Sequence, residues 1–424
     1  MIDWSLLPSW ILIVFFAALG GIVGSFVNAA VHRLPRNISL WSRSRSFCPR
    51  CEANIRWYDN IPVLSFLALG GRCRVCGVSI PFRYLAVEAL CASLYALTAY
   101  QFFVLNAPAE HGMPFRMPWI VMAVQLILLA DLLCIAFADL ETWYIPIQTT
   151  WPFVLLGLVL APCFPELHPA RTEWLSETAG SGLAWAPNWN SLIDSVQGLI
   201  WGAGAPWLVG FACLVYLKKE GMGSGDSHLL GMLGAMLGWK AAIAVFVLGA
   251  FIGCFLGLGS MAWNHLQRRR LGASWKPRQP TFELDEAELA PPPAWPLLAY
   301  GLFVLLFEGG LLLLHLRQVR FAYSLVEDVP FSAILGVLLG LCLLLGFILQ
   351  RHWLEANAWP QGERTQREDG TVEETLQGNY IPFGPSLALA GLLVLFYDPL
   401  IRAWMAWWLW QTPVSLPYRL PGAG

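Results

Sequence analysis

Two aspartates in this 424-residue chain have surroundings that suit acid–base chemistry. Asp139 follows a long apolar run and begins the segment Asp-Leu-Glu-Thr-Trp-Tyr-Ile-Pro, whereas Asp226 ends the segment Gly-Met-Gly-Ser-Gly-Asp. Two carboxylates that lie close together do not both ionise easily, so the pair can hold one proton between them. The ionised member can then deprotonate water while the protonated member polarises a carbonyl group. The pattern predicts two catalytic aspartates able to hydrolyse a peptide bond.

The glycines before Asp226 indicate a tight approach to a helix that is expected to begin at that aspartate. Two simpler interpretations remain open: Asp226 is only an N-cap, or Asp139 only reaches water from a helix end. Their joint placement at helix ends favours catalysis. Other acids in or near apolar segments rank second as catalytic candidates: Asp131, Asp194, Glu88, Glu308 and Glu141.

Four cysteines form two Cys-x-x-Cys pairs in one polar segment, Cys48 with Cys51 and Cys73 with Cys76. Four thiolates in a tetrahedral arrangement are typical ligands of structural Zn²⁺, and a cytosolic location keeps them reduced. The alternatives, two disulfides or simple burial, fit less well because the flanking residues are polar and rich in arginine. Since sulfur would fill all four positions, the metal is expected to organise the segment and not to bind water.

The elements that position these residues are predicted to be membrane helices, because 57% of the residues are hydrophobic and only 13% are charged. The net charge of −2 gives no sign of a nucleic-acid partner. The first apolar run lacks a preceding basic region, which favours a membrane span over a cleaved signal peptide. Ten spans are predicted, near 9–31, 82–106, 117–138, 146–163, 191–217, 228–239, 241–263, 295–316, 331–350 and 383–400.

The orientation follows from the distribution of lysine and arginine. If segment 32–81 lies in the cytoplasm and ten spans alternate, most of the 26 basic residues fall on the cytoplasmic side and the N-terminus lies outside. Both aspartates then lie at cytoplasmic helix ends. The proline-rich segment 264–294 is interpreted as a connection and not as a folded domain.

Several segments together resemble the bifunctional type IV prepilin peptidases, a family of GxGD aspartyl peptidases. The resemblance covers most of 10–263 and returns at 378–400. Two positions depart from the family: His228 stands where a lysine is frequent, and Ile147 where an asparagine or aspartate is frequent. The similar segments are Gly24-Ser-Phe-Val-Asn28, His32-Arg-Leu-Pro35, the cysteine segment from Cys48 to Glu88, Asp139 to Pro146, Gly223-Ser-Gly-Asp226 and Ile381-Pro-Phe-Gly-Pro385.

The resemblance implies cleavage of prepilin or type II secretion pseudopilin leaders after a glycine, at the cytoplasmic face of the bacterial inner membrane. It also implies N-methylation of the new N-terminus with S-adenosylmethionine, although no motif marks a methyl-donor or substrate site. Membrane lipid is expected to surround the apolar helices. The predicted organisation is a first membrane helix (1–31), a cytoplasmic zinc-binding domain (32–81), a peptidase membrane core (82–263), an insertion with two extra helices (264–377), and a last helix with its tail (378–424).

Three other functions fit parts of the sequence. A proton-coupled transporter would use intramembrane carboxylates, but inverted repeats and broken helices are not evident. A membrane scaffold with a zinc-knuckle surface would leave the glycines around Asp226 unexplained. A presenilin-like peptidase shares the glycine-flanked aspartate, although the four-cysteine segment favours the prepilin branch.

Overall fold

The structure, a computed structural model, is predominantly helical in the part of the chain that it describes. Long apolar segments form helices because lipid offers no partners to backbone N–H and C=O groups, and a helix satisfies them internally. Because the predicted apolar runs appear as helices, the helical polytopic class is confirmed. The described residues are 8–36, 38–40, 46–48, 50–105, 119–142, 144–164, 189–217, 221–271, 281–284, 295–316, 337–341, 363–366, 372–375 and 383–396.

Among the α-helices of the described residues, five are long and apolar enough to cross a membrane: α1, α3, α4, α6 and α8. Short 3-10 turns lie at Leu34–Arg36 and Trp57–Asn60, and a π-helical turn at Gln101–Leu105 extends α3. The helices are α1 (Ser9–Arg33), α2 (Leu64–Ala68), α3 (Phe82–Tyr100), α4 (Trp119–Thr142), α5 (Ile147–Leu160), α6 (Trp189–Leu217), α7 (Ser224–Leu237), α8 (Trp239–Leu271), α9 (Trp295–Leu316) and α10 (Gly384–Phe396).

The remaining predicted spans correspond to shorter elements. The spans expected near 146–163, 295–316 and 383–400 contain the shorter apolar helices Ile147–Leu160, Leu298–Gly310 and Gly384–Phe396. The short span expected near 228–239 lies within α7 and the start of α8. Of the span expected near 331–350, only the helical residues 337–341 lie within the described part.

Helix α4 is the centre of the bundle. Of its most apolar stretch 61% is buried, compared with 28–33% for the other four long helices. Leu128 and Leu132 on one side pack into a core formed with α5, α7, α8 and α10. Leu129 and Leu133 on another side pack into a core formed with α1 and α3. The helix that carries Asp139 is therefore held between the two halves of the described bundle.

Glycines allow the helices around α4 to approach closely. A Cβ on Gly20 of α1 would lie 2.7 Å from the carbonyl oxygen of Cys91 on α3, and one on Gly24 would lie 2.8 Å from the Cα of Glu88. Helices α6 and α7 are in similar contact through Gly198 and Gly234. Small residues at such crossings let backbones pack directly, which is how membrane helices associate without a hydrophobic driving force.

A three-stranded antiparallel sheet lies outside the helices, and the sequence did not predict it. Its strands are β1 (Thr281–Leu284), β2 (Glu363–Gln366) and β3 (Val372–Thr375), in the order β1-β3-β2. The expectation that 264–294 is only a connection is therefore wrong. Helix α8 continues to Leu271 because arginines are good helix formers and suit a helix C-terminus. Strand β1 is defined by a partner far away in sequence, which a local pattern cannot reveal.

Candidate active site and metal centre

Asp139 lies in the last turn of α4 and is only 5% exposed. The backbone N–H of Gly384, at the start of α10, donates a hydrogen bond to its carboxylate. A Cβ on residue 384 would lie 2.6 Å from Oδ2 of Asp139. A side chain at 384 would therefore have to displace the Asp139 carboxylate from the position that it occupies here.

Asp226 lies in the first turn of α7 and is 7% exposed. Its Oδ2 accepts a hydrogen bond of 3.2 Å from the N–H of Gly223, the N-cap residue. The helix begins at Ser224, so the expectation that it begins at Asp226 is wrong: two further residues adopt helical geometry first. A carboxylate at this end of a helix is favoured by the helix dipole. Asp226 therefore makes a capping contact without being the N-cap.

The structure brings the two carboxylates together. Asp139 and Asp226 lie close enough to interact electrostatically, although they come from different helices. The buried side chain of Ile145 packs between their supporting glycines: a Cβ on Gly225 would lie 3.0 Å from it and one on Gly384 would lie 3.1 Å from it. Three chain segments, the end of α4 with Ile145, the start of α7, and the start of α10, therefore converge on one site.

The other acids that ranked second have different neighbours. Asp131 lies two turns deeper in α4, beside Thr149 of α5. Asp194 packs against Gly238, at the junction of α7 and α8. Glu308 is fully buried on α9 and faces α6. Among the described residues, neither Asp131 nor Glu308 has a second acid acting on it in the way that Asp226 acts on Asp139.

Glu141, the acid nearest to Asp139 in sequence, contacts the guanidinium of Arg83 at the start of α3. That guanidinium also lies over the ring of Tyr84, 4.9 Å from its centroid. The ion pair ties the first turn of α3 to the helix end that carries Asp139. Sequence reasoning missed Gly384 and Arg83 as parts of this region. For Gly384, the available signal was its position in the Pro-Phe-Gly-Pro segment.

The cysteine segment folds into two equivalent knuckles. In the first, the N–H of Cys48 donates to the carbonyl of Ala53 at 3.0 Å; in the second, the N–H of Cys73 donates to that of Val78 at 2.9 Å. Each knuckle includes one residue with positive φ, Glu52 in the first (53°) and Gly77 in the second (69°). The two turns therefore present their cysteine pairs in the same local geometry.

The four thiols fit a tetrahedral metal ion. All four sulfur atoms lie within 4.8 Å of one another, and those of Cys48 and Cys76 are 3.8 Å apart. A tetrahedron with Zn–S bonds of about 2.3 Å has sulfur–sulfur distances of about 3.8 Å. Backbone N–H groups of Cys76 and Val75 donate to the Cys73 sulfur and lower the pKa of that thiol to about 6, so it readily becomes a thiolate ligand. The cluster could hold a metal ion.

An ion pair braces the second knuckle. The guanidinium of Arg74 donates to both carboxylate oxygens of Asp59, at 2.8 and 2.6 Å. This hydrogen bonding holds the pKa of Asp59 below its usual value. Arg74 lies between two metal-ligand candidates, so the pair links the second knuckle to the 3-10 turn at Trp57–Asn60.

Two parts of the chain match described families. Residues 18–102 match the bacterial peptidase A24 N-terminal domain, and residues 126–258 match the type IV leader peptidase family. The first match contains the four cysteines, and the second contains both aspartates. No solved structure matches the chain.

Curated relatives extend these matches. The prepilin leader peptidase/N-methyltransferase of Myxococcus xanthus (strain DK1622) is 31% identical over 387 residues, which cover 91% of this chain and 90% of the relative. The protein of the same name from Klebsiella pneumoniae is 36% identical over 53% of this chain and 86% of the relative. The Myxococcus alignment is longer than the part of this chain that lies outside segment 264–377. It must therefore include part of that segment. This chain belongs to the type IV leader peptidase family.

Proposed function

We propose that this chain cleaves the leader of type IV prepilins, or of type II secretion pseudopilins, with Asp139 and Asp226 as its catalytic pair. The observation that carries the proposal is the meeting of two almost fully buried carboxylates from the ends of α4 and α7. Two acids that interact electrostatically share a proton more readily than they ionise together. One therefore serves as base and the other as acid.

The chemistry assigned to the pair is peptide hydrolysis. The ionised carboxylate takes a proton from the attacking water, and the protonated carboxylate donates a hydrogen bond to the scissile carbonyl oxygen. The proton on the second acid then passes to the leaving amine. The hydrogen bonds from Gly223 and Gly384 hold the carboxylates in place during this exchange.

The proposed location of this site is the cytoplasmic face of the bacterial inner membrane, with the N-terminus outside. The support is the position of both aspartates at helix ends on the side of the arginine-rich cysteine segment. In this arrangement the peptidase core is 82–263, and segment 264–377 is an insertion between it and the last helix. Membrane lipid surrounds the apolar helices, and nucleic acid has no role.

The metal proposed for the four cysteines is Zn²⁺ in a structural role. Cys48, Cys51, Cys73 and Cys76 would fill a tetrahedral site completely, so water has no coordination position there. Zinc would supply a crosslink between the two knuckles. The sulfur–sulfur spacing supports this assignment.

The second proposed activity is N-methylation of the newly exposed N-terminus. Its support is the name of the relatives, which are prepilin leader peptidase/N-methyltransferases. S-adenosylmethionine would supply the methyl group.

The experiment that tests the proposal uses the full chain, purified in detergent, and a model prepilin that carries its leader. Mass spectrometry should detect loss of the leader by hydrolysis and, when S-adenosylmethionine is added, the gain of one methyl group on the shortened product. The matched control is Asp226→Asn, checked for folding. A folded wild-type protein that leaves the prepilin intact would favour the transporter or scaffold functions.

A further inference from the structure

The segment that links the two cysteine knuckles packs against the middle of a membrane helix. A Cβ on Gly21 of α1 would lie 3.3 Å from the Cβ of Pro62. A cavity of about 470 Å³ lies beside this contact, and its lining joins residues 60–64 with Ala17, Ile22 and Ala92 of α1 and α3. A loop that stayed above the membrane surface would not reach this part of α1.

The depth of the contact can be measured along the two helices. Gly21 precedes Arg33 by twelve residues, which is about 18 Å of helix, and Ala92 follows Arg83 by nine, which is about 13 Å. The hydrocarbon core of a bilayer is about 30 Å thick. In the proposed orientation Arg33 and Arg83 mark the cytoplasmic ends of α1 and α3, so residues 60–64 lie well below these arginines in the membrane.

The composition of the linking segment suits this depth. Residues 60–71, Asn-Ile-Pro-Val-Leu-Ser-Phe-Leu-Ala-Leu-Gly-Gly, contain no charged side chain. An apolar run of this length is too short to span a bilayer, and its length fits a re-entrant or interfacial segment as well as a buried helix. Leu64 is 64% exposed and shares the lining of this cavity with the exposed Ile22 of α1, and Leu67, about one turn further along α2, is 63% exposed.

Irregular backbone at this depth needs internal hydrogen-bond partners. The critical residue is Val63, whose φ of 64° is rare for a β-branched side chain. Its N–H donates to Oε2 of Glu88 at 2.8 Å, and the hydroxyl of Ser25 also donates to this carboxylate. This explains an acid on a membrane helix that the proposed peptidase chemistry does not use.

We propose that residues 60–69 form a re-entrant segment in the cytoplasmic leaflet, with Leu64 and Leu67 against lipid acyl chains and Glu88 holding the turn at Val63. The segment goes into the leaflet at the 3-10 turn and returns at the second knuckle. The four cysteines then lie at the membrane surface, where the re-entrant segment between the two pairs anchors them. Segment 32–81 is thus not wholly cytoplasmic.

The test places a photoreactive amino acid at Leu64 in the full chain, in native membranes. The matched control is Val75, which is 70% exposed in the second knuckle. Because the probe at residue 64 is surrounded by acyl chains and the probe at residue 75 by water, lipid adducts at residue 64 should exceed those at residue 75 by roughly tenfold or more. Equal yields at the two positions, or no lipid adduct at residue 64, would overturn the proposal.

A second pair of variants tests the role of Glu88 with the same probe at residue 64. Glu88→Gln keeps an acceptor oxygen for the N–H of Val63 and should retain the lipid adduct. Glu88→Leu removes that acceptor and should lose most of the adduct. If a folded Glu88→Leu protein keeps the full yield, or Glu88→Gln loses it, Glu88 does not hold the turn.

Discussion

The cysteine centre and the carboxylate centre are assembled in opposite ways. The four cysteines come from two local turns, each closed by hydrogen bonds within a few residues. The carboxylates come from the ends of α4 and α7, and a third segment, at Gly384, supports one of them. A local site can be recognised from spacing and depends on its own turns. A site built by helix packing depends on contacts that no single segment contains.

The largest expected effect comes from the carboxylates themselves. Asp139→Asn and Asp226→Asn should each lower the rate of prepilin cleavage by about 10²–10⁴-fold, because an amide cannot exchange a proton with water or the leaving amine. Asp131→Asn, two turns deeper in α4, is the matched control and should retain most activity. Rates are measured on the model prepilin, with folding checked by helical content. A similar fall in the cleavage rate of Asp131→Asn would indicate that Asp131, deeper in α4, belongs to the catalytic pair.

The next effect tests whether the start of α10, at Gly384, supports the Asp139 carboxylate. Gly384→Val should lower cleavage by about 10²-fold, because its side chain would displace the Asp139 carboxylate, and small misplacements of catalytic groups have effects of that size. Gly259→Ala is the control, since a Cβ there meets no atom within 4 Å. Equal activity of the two variants would show that α10 does not support the site.

A smaller effect on cleavage is expected from the cysteine centre. Metal analysis should find one zinc for each chain, and Cys76→Ala should lower that content because one of four ligands is lost. Proteolysis of segment 46–80 should accelerate, while the helices around α4 stay protected. Cys163, an exposed cysteine away from the cluster, provides the control as Cys163→Ala. Unchanged zinc in Cys76→Ala would place the metal elsewhere.

The smallest effect concerns the ion pair that braces the second knuckle. Because Arg74 lowers the pKa of Asp59, the pair stabilises the fold above the usual carboxyl pKa, and this contribution disappears as the pH falls through the lowered value. At neutral pH, Asp59→Asn should release zinc to a chelator slightly faster than wild type at low salt. High salt should remove the difference, because Arg74 is half exposed and therefore screened. A difference that persists in high salt would argue against an ionic origin.

Parts of both centres could be predicted from the sequence. How much could be predicted depends on whether a centre is formed by local turns or by helix packing. The two Cys-x-x-Cys pairs identify the four candidate metal ligands by spacing alone, and Asp139 and Asp226 stand out by their glycines and helix ends. Their meeting could not be predicted, because it depends on how α4, α7 and α10 pack. The hydrogen bond from Gly384 and the packing of Ile145 are contacts of this kind.

The same limit explains the errors in the fold. Helix spans could be predicted because an uncharged apolar run has one stable form in lipid. Strand β1 could not, because its partner β3 lies far along the chain. The turn at Val63 was also missed, since its positive φ is stabilised by Glu88, and no local pattern marks a valine for that conformation.

The central claim is that Asp139 and Asp226 act as one unit, and a double-mutant comparison tests it most directly. Cleavage rates are measured for Asp139→Asn, Asp226→Asn and the double variant, all shown to be folded. Residues that share one proton lose their function together, so the double variant should be no slower than the slower single variant. Losses that multiply in the double variant, or cleavage retained in either single variant, would contradict a shared catalytic pair.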